Sequence, residues 1–186
     1  MIARLLLIAS CAAAVVPSAA SADAVVPGKS EIAFTLKQMG VNFDGRFKAW
    51  KADIVFQPAA LDKAKALIDV DLASLDLASA DSEEEARGPL WFNTVKFPVA
   101  HFASTSFRSL GGDRYEVAGK LSLKGVTRDI VVPIVVKPDA DGTRTAEGVF
   151  SLKRLEYGIG EGEWADTGTV ADDIRVRVRV VLQAPG

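Results

Sequence analysis

The segment at residues 174–182 alternates strictly between apolar and basic side chains. Five apolar side chains share one phase and three arginines share the other, namely Ile174, Val176, Val178, Val180 and Leu182 against Arg175, Arg177 and Arg179. A period of two places the two sets on opposite faces of an extended strand. The segment is therefore predicted to be a β-strand with one buried face and one solvated face.

Similar patterns elsewhere predict about eight strands in total. The other segments are residues 30–38, 41–56, 66–74, 98–108, 115–123, 130–136 and 145–153. The second segment changes phase between Phe47 and Ile54, which predicts a bulge or bend near Ala49. The sixth is continuously apolar, so both of its faces are expected to be covered. Pro133 within it is expected to mark an edge or a bulge.

One short helix is predicted between the third and fourth strands. Asp81 is expected to cap a turn of residues 82–86, and Glu84 is expected to complete a capping box. Gly88 and Pro89 would then end the helix. The fold class is therefore all-β, an eight-stranded antiparallel barrel with a short helix. A closed barrel of this size can hold one small ligand.

The first 22 residues have the composition of a cleavable signal peptide. Arg4 gives a basic start, residues 5–16 form an apolar run, and residues 20–22 offer a small-residue cleavage site. We therefore expect export to the periplasm. The mature protein would then begin at Asp23 and form one domain over residues 23–186.

Cysteine content and charge argue against several classes of protein. Cys11 is the only cysteine, so removal of the leader would leave no thiol for a disulfide bond. Lipid attachment at Cys11 is disfavoured because the apolar run continues beyond it. Removal of Arg4 shifts the formal net charge from -2 to -3. A net negative chain does not favour nucleic acid or an anionic membrane surface, since both attract clustered positive charge.

Candidates for catalysis or metal binding are few. His101 is the only histidine, and its phase is opposite to that of Phe102, which predicts a surface position. Residues 139–142 lack the spacing of a calcium loop and read as a hairpin turn. The glycine-rich residues 158–162 are followed by carboxylates instead of a helix, which argues against a phosphate-binding loop. We expect no catalytic residue, no metal and no cofactor apart from a bound lipid.

Four large aromatic residues near strand ends have two open interpretations. Trp50, Trp91, Phe92 and Trp164 would either plug the barrel or line a site for an apolar guest. Trp91 and Phe92 directly follow the predicted helix. Their position favours plugs that hold the helix across one end of the barrel.

Three segments resemble the YceI family of exported, lipocalin-like proteins. They are residues 97–105 (FPVAHFAST), 117–128 (VAGKLSLKGVTR) and 154–158 (RLEYG), and the resemblance extends over residues 24–183. It implies an extended eight-stranded antiparallel barrel around a long apolar cavity. In this family the cavity holds a polyisoprenoid or a similar amphiphile, such as a polyprenyl phosphate or a quinone tail.

The sequence departs from the family pattern at the predicted helix. Many relatives have an arginine–aspartate pair there, whereas residues 80–85 read ADSEEE. Three adjacent glutamates would repel a phosphate. A neutral quinone-like or amide-like head is therefore expected instead.

The alternation and the resemblance together predict the residues that contact the ligand. Twelve inward side chains are expected to form the apolar surface: Phe34, Leu36, Ile68, Val70, Leu72, Phe102, Leu121, Leu123, Phe150, Ile174, Val176 and Val178. Three polar residues are expected at the mouth: Lys124, Thr127 and Arg128. Two isoprenoid units would contribute on the order of 8 kcal/mol before association costs, at about 0.8 kcal/mol per buried methylene.

We therefore expect a periplasmic protein that binds, stores or transports an isoprenoid lipid of polyprenyl or quinone type, without catalysis. The alternative is a structural or interaction protein with a filled barrel. Some YceI proteins accompany membrane proteins of the cytochrome b561 type, so the resemblance implies such a partner. The sequence leaves the oligomeric state open, with a homodimer among the options.

Overall fold

The computed structural model describes residues 22–183. The predicted leader before residue 22, including Cys11, lies outside the described residues, as do residues 184–186. The described chain forms eleven strands and one α-helix: β1 (Ala24–Val25), β2 (Glu31–Gln38), β3 (Val41–Phe47), β4 (Trp50–Val55), β5 (Lys65–Asp71), β6 (Leu75–Asp76), α1 (Ala80–Arg87), β7 (Val99–Gly111), β8 (Arg114–Leu123), β9 (Val126–Pro138), β10 (Thr143–Lys153) and β11 (Asp173–Gln183).

These strands form one antiparallel sheet that closes on itself. Hydrogen-bonded neighbours follow the order β4-β5-β7-β8-β9-β10-β11-β2-β3-β6. Only residues 48–49 separate β3 from β4, and only the 3₁₀ turn Leu72–Ser74 separates β5 from β6. Because β4 pairs with β5 and β3 pairs with β6, both ends of the order belong to the same two bent strands. The fold is thus an all-β, lipocalin-like barrel of eight long strands, as predicted, with β1 added beside β11.

The predicted bend near Ala49 is confirmed. Phe47 pairs with a residue of β6 and Trp50 with a residue of β5, while residues 48 and 49 interrupt the strand. Ser74 satisfies the interrupted backbone, since its Oγ accepts a hydrogen bond from Ala49 N at 3.0 Å. Its carbonyl oxygen accepts another from Lys48 N at 3.1 Å. The bend therefore turns the strand without leaving these backbone donors unpaired.

Strand β9 differs in part from its prediction. Val132 and Val136 are buried, but Val131, the residue before Val132, is 52% exposed. The expectation that both faces of residues 130–136 are covered is therefore wrong. The ladder between β9 and β10 ends at Ile134. Pro133, the next residue, has no N–H to continue it. From this proline towards its start, β9 is an edge on the side of β10, as predicted.

The helix α1 begins earlier than its predicted cap. Ser79 is the N-cap, and its side-chain oxygen accepts a hydrogen bond from Ser82 N at 3.2 Å. Asp81 lies inside the first turn, where a carboxylate interacts favourably with the helix dipole. The predicted cap at Asp81 is therefore wrong, because a serine two residues earlier performs that role. Gly88 ends the helix, as predicted.

Different segments of the chain cover the two ends of the barrel. The α1 end carries α1, residues 88–98 and residues 154–172, whereas the β1 end carries β1 and the hairpin between β9 and β10. At the β1 end an apolar cluster surrounds Phe56, whose ring lies edge-on to Tyr115 at 5.1 Å between centroids. This cluster closes the β1 end of the barrel.

Asp23 fastens the start of the described chain to the β1 end. It is buried, and its backbone N donates to Ile54 O at 2.7 Å. One carboxylate oxygen accepts from Phe56 N at 2.9 Å and the other from Arg144 Nη2 at 2.7 Å. These contacts join β4 to β10 through a residue that belongs to neither strand.

Candidate ligand-binding cavity

An internal cavity of about 490 Å³ occupies the barrel. Its volume lies in the range of about 300–1,000 Å³ that is typical of small-molecule sites. Apolar side chains from both ends of the barrel line most of it. Apart from the indoles, polar side chains join the lining at five positions: Gln38, Asp81, Ser82, Glu85 and Arg154. The wall is therefore suited to a guest that is apolar along most of its length.

All twelve inward residues predicted from the alternation line this cavity. They are Phe34, Leu36, Ile68, Val70, Leu72, Phe102, Leu121, Leu123, Phe150, Ile174, Val176 and Val178. Their placement follows from the pleat, because residues two apart on a strand share one face.

Aromatic rings in the wall lie over glycines of neighbouring strands. A Cβ at Gly119 would lie 2.5 Å from the ring of Phe102. A Cβ at Gly45 would likewise lie 2.9 Å from Phe34 Cε1. Such distances are far below van der Waals contact, so glycine is required at both positions for these rings to pack against the wall.

The cavity reaches the surface at the α1 end. Asp81 and Glu85 are exposed to solvent and also line the cavity. Glu85 Oε1 accepts a hydrogen bond from Trp164 Nε1 at 2.9 Å, which joins α1 to the 3₁₀ turn Gly162–Ala165. This mouth is acidic, as predicted, but its carboxylates are Asp81 and Glu85, so only one of the three expected glutamates belongs to it.

Glu83 stabilises the helix instead of facing the cavity. Its carboxylate accepts hydrogen bonds from Arg87 Nη2 at 2.8 Å and from Leu77 N at 3.2 Å. These two bonds, that with Arg87 first, hold the pKa of Glu83 below its ordinary value of 4.5. Glu84 is exposed and is not part of the cavity wall.

The predicted mouth residue Lys124 does not line the cavity. Its side chain is only 7% exposed, and its ammonium group donates to Glu161 Oε2 at 3.0 Å. It also donates to the carbonyl oxygens of Leu90 and Gly158. Lys124 therefore joins the turn between β8 and β9 to the loops of the α1 end, and it does not lie in the cavity wall where it was expected.

The other two predicted mouth residues lie on the outer surface. Thr127 Oγ1 is 2.6 Å from Ser122 Oγ. Arg128 donates to Glu156 O at 3.0 Å, and its guanidinium lies 5.9 Å from the centre of the Tyr157 ring. Neither side chain belongs to the cavity wall, although both were expected at its mouth.

Arg154 is a cavity residue that was not predicted among the site residues. It is 0% exposed, and its five N–H groups all donate to backbone carbonyl oxygens within 3.1 Å: those of Ile159, Gly160, Trp164, Val170 and Ala171. Burial holds the pKa of Arg154 below its usual value. The side chain fixes the fold of residues 154–172. A sequence signal was present, because Arg154 continues the inward phase of Phe150 and Leu152.

Three of the four large aromatics combine the two proposed roles. Trp91, Phe92 and Trp164 narrow the α1 end and also line the cavity. The rings of Trp91 and Trp164 lie 5.6 Å apart. Trp50 instead packs against the apolar cluster around Phe56.

Trp91 has one polar atom whose bonding is incomplete. Its Nε1 is buried and has no acceptor within residues 22–183. The guanidinium carbon of Arg154 lies 5.7 Å from the centre of its ring. A buried N–H without a partner is rare in folded proteins.

The remaining candidates lie on the surface. His101 has a side chain that is 60% exposed, and its Nδ1 lies 2.7 Å from Asp69 Oδ1. Residues 139–142 form the hairpin between β9 and β10, and Gly142 has φ of +83°. Within residues 22–183, no group of three or more metal-ligating side chains is gathered at one place. In the same range no helix combines the length and apolarity that a bilayer crossing needs.

Known proteins resemble this chain along most of its length. A UPF0312 protein from Azotobacter vinelandii is 28% identical over 171 residues, which is 87% of each chain. The crystal structure of BcnA from Burkholderia cenocepacia is 35% identical, with a TM-score of 0.82 over 85% of this chain and 99% of that one. A polyisoprenoid binding domain from Saccharophagus degradans has a TM-score of 0.72 at 17% identity, covering 90% and 100% of the two chains, and shows the shared fold alone.

The family model of the YceI-like domain matches residues 24–182. This range includes every long strand of the barrel and stops one residue before the end of β11. The resemblance inferred from residues 97–105, 117–128 and 154–158 is thereby confirmed, and the chain belongs to the YceI-like domain family.

Proposed function

We propose that the barrel binds an isoprenoid lipid of the polyprenyl or quinone type and acts as its carrier or store. The observation that carries this proposal is the cavity of about 490 Å³, whose wall is almost entirely apolar and which opens beside α1. Burial of a lipid tail there removes apolar surface from water, which is favourable without any catalytic group.

The energetics support a chain of at least a few isoprenoid units. Burial contributes about 0.8 kcal/mol per methylene, and association costs about 4–15 kcal/mol for lost translational and rotational freedom. A two-unit chain is therefore near the lower limit for useful affinity. Longer chains gain binding free energy in proportion to the length that enters the barrel.

The Saccharophagus degradans neighbour, named as a polyisoprenoid binding domain, supports the proposed ligand class. Because the chain belongs to the YceI-like domain family, we propose a lipid as the guest and not any apolar molecule of suitable size. A filled barrel with a purely structural role is the alternative. It is disfavoured because the rings of Phe34, Phe102 and Phe150 leave open volume between them.

The proposed site of action is the periplasm. The basis is the leader at residues 1–22, with its basic start, apolar run and small-residue cleavage site. A membrane protein of the cytochrome b561 type is the proposed partner that supplies or receives the lipid, on the basis of the family resemblance. Fractionation of cells and mapping of the mature N-terminus test the location, and co-purification tests the partner.

Native mass spectrometry of the mature protein tests the central proposal. The wild-type protein is expected to carry one lipid, which organic extraction then identifies. Val176→Asp places a charge in the cavity wall and should abolish lipid retention. Arg177→Asp, its outward neighbour on β11, is the matched control and should retain the lipid.

A second variant separates loss of binding from loss of folding. Leu121→Trp fills the cavity without adding charge, so a folded protein with reduced lipid content is expected. Circular dichroism checks the fold of each variant. A wild-type protein without stoichiometric lipid, or folded variants with undiminished lipid, would contradict the proposal.

A further inference from the structure

Three large apolar side chains are far more exposed than the others in residues 22–183. Val95 is 97% exposed, Met39 78% and Val41 69%. The next most exposed, Val131, reaches only 52%. Met39 and Val41 lie at the hairpin between β2 and β3, and Val95 lies in the segment that follows α1. All three are therefore at the α1 end, where the cavity opens.

The β2–β3 hairpin is held beside the mouth of the cavity. Met39 N donates a hydrogen bond to Thr169 O at 2.8 Å, and Gln38 forms a β-bridge with Val170. Gln38 lines the cavity, and it adjoins Met39 in the sequence and Val41 in the β2–β3 ladder. Met39 and Val41 do not line the cavity themselves. They border its opening and are exposed to solvent.

The turn of this hairpin does not require a methionine. Met39 and Gly40 have φ of +49° and +81°. A two-residue hairpin turn with positive φ at both central positions favours asparagine followed by glycine, and methionine is uncommon in that conformation. Because the Met39 side chain is exposed, it also contributes little to the core. Transfer of this side chain from water to an apolar medium would be favourable.

The small size of the apolar surface favours a membrane over a folded protein as the partner. A specific protein–protein interface buries about 800 Å² on each side, which far exceeds what three separate side chains expose. A bilayer needs no matching shape, because each apolar side chain that enters it gains transfer free energy on its own. A bilayer also contains the class of molecule that the cavity is proposed to hold.

The charges at the α1 end favour headgroups without net charge. Residues 80–98 contain four acidic and two basic side chains, and residues 154–172 contain five acidic and one basic. An anionic membrane surface would repel this excess of carboxylates. A zwitterionic surface would not, so a bilayer of zwitterionic lipid fits this end of the barrel best.

We propose that Met39 and Val41 insert into the interface of a zwitterionic lipid bilayer, with Val95 as a further contact. This inference rests on the proposed function and adds the partner with which the cavity exchanges its lipid. Insertion of the hairpin brings the mouth against the membrane. A lipid tail can then pass between the bilayer and the cavity without being exposed to water, which is unfavourable for an apolar chain.

Vesicles of phosphatidylcholine test the insertion. Sucrose-loaded vesicles are sedimented with the mature protein, and the bound fraction gives the affinity. Met39→Asn/Val41→Thr removes two apolar side chains but keeps residues that suit the turn and the strand. This double variant should fold like the wild type and bind the vesicles at least about tenfold more weakly. Addition of Val95→Thr should weaken binding further.

A matched control uses apolar side chains that are exposed away from the mouth. Leu110 is 39% exposed beside the β7–β8 hairpin, and Val131 is exposed on the side of the barrel. Leu110→Gln/Val131→Thr removes a similar amount of exposed apolar surface. Its vesicle binding should equal that of the wild type.

Lipid transfer provides a second readout. Geranylgeraniol is loaded into the protein, and its appearance in phosphatidylcholine vesicles is followed by mass spectrometry. Met39→Asn/Val41→Thr should slow the transfer by about the factor by which it weakens vesicle binding. Without vesicles it should bind as much geranylgeraniol as the wild type, because neither residue lines the cavity.

Four outcomes separate the inference from its alternatives. Equal vesicle binding by the wild type and the double variant would overturn the inference, although lipid binding would stand. Tighter binding to vesicles that contain phosphatidylglycerol, unchanged in the double variant, would assign the contact to a basic face and also overturn it. A dimer in sedimentation velocity that the double variant dissociates, without vesicle binding, would assign the hairpin to a second copy. Insertion without uptake of geranylgeraniol would contradict the proposed function alone.

Discussion

The ring of Phe34 occupies the space above Gly45 on the neighbouring strand. A Cβ at Gly45 would lie 2.9 Å from Phe34 Cε1 and 2.6 Å from Leu77 Cδ2. Phe34 also packs against Phe47, with 5.6 Å between ring centroids. The width of the cavity at this level is therefore set by the absence of a side chain at Gly45.

Gly45→Ala is expected to push Phe34 and Leu77 into the cavity. Overpacking of this kind costs about 1–3 kcal/mol of unfolding free energy, and the lipid content should fall because the open volume shrinks. Urea unfolding and native mass spectrometry measure the two effects. The double variant Gly45→Ala/Phe34→Leu should recover most of the lost stability. An unchanged unfolding free energy for Gly45→Ala would contradict the packing described above.

Arg154→Lys is expected to destabilise the protein strongly. Lysine cannot replace five N–H groups in a fixed plane, so buried carbonyl oxygens lose their donors, and each one left unsatisfied costs about 1–3 kcal/mol of unfolding free energy. Hydrogen exchange should accelerate across residues 154–172. Arg177→Lys is the control, because Arg177 is exposed on the outer face of β11. Similar unfolding curves for the two variants would show that the carbonyl contacts contribute little.

Asp23→Ala tests the attachment at the β1 end. The substitution removes the acceptors of Phe56 N and Arg144 Nη2, and a loss of about 3 kcal/mol is expected when a buried partner of an ion pair is removed. Asp129→Ala, which breaks an exposed pair with Lys120, should have a much smaller effect. Thermal unfolding compares the two. Equal shifts would mean that Asp23 does not hold β4 to β10.

Acidification is expected to weaken the anchoring of α1 through Glu83. Its pKa in the folded protein lies below the ordinary 4.5, so its stabilising contribution is complete above that value and is lost as the pH falls through the lowered pKa. Unfolding free energies in urea, compared between neutral pH and a pH below 4.5, should therefore fall less for Glu83→Gln than for the wild-type protein. Glu84→Gln should match the wild type. A Glu83→Gln variant with the wild-type acid dependence would refute this account.

The period-two pattern was sufficient to predict the cavity wall. Val176 and Arg177 illustrate why, because adjacent strand residues must point to opposite faces and only one face can be apolar and enclosed. The phase change between Phe47 and Ile54 likewise predicted the bend, since a strand can change its buried face only where its pairing is interrupted.

The mouth could not be predicted in the same way. Lys124 lies at the correct end of the barrel, but the direction of its side chain depends on contacts with Gly158 and Glu161 in a loop without periodicity. The cap of α1 was ambiguous for another reason, because Ser79 and Asp81 are both residues that favour an N-cap. Only the tertiary packing of the helix decides between them.

The strands β9 and β10 are paired along only part of their length, so the barrel wall has one line with few backbone hydrogen bonds across it. Their ladder ends at Ile134 and Gly148, although β9 stays paired with β8 and β10 with β11 beyond that point. Residues 129–133 and 149–153 can therefore move apart without loss of any ladder pair between them. Entry of a guest thicker than the cavity would therefore cost fewer backbone hydrogen bonds along this line than between any other two long neighbouring strands with complete ladders.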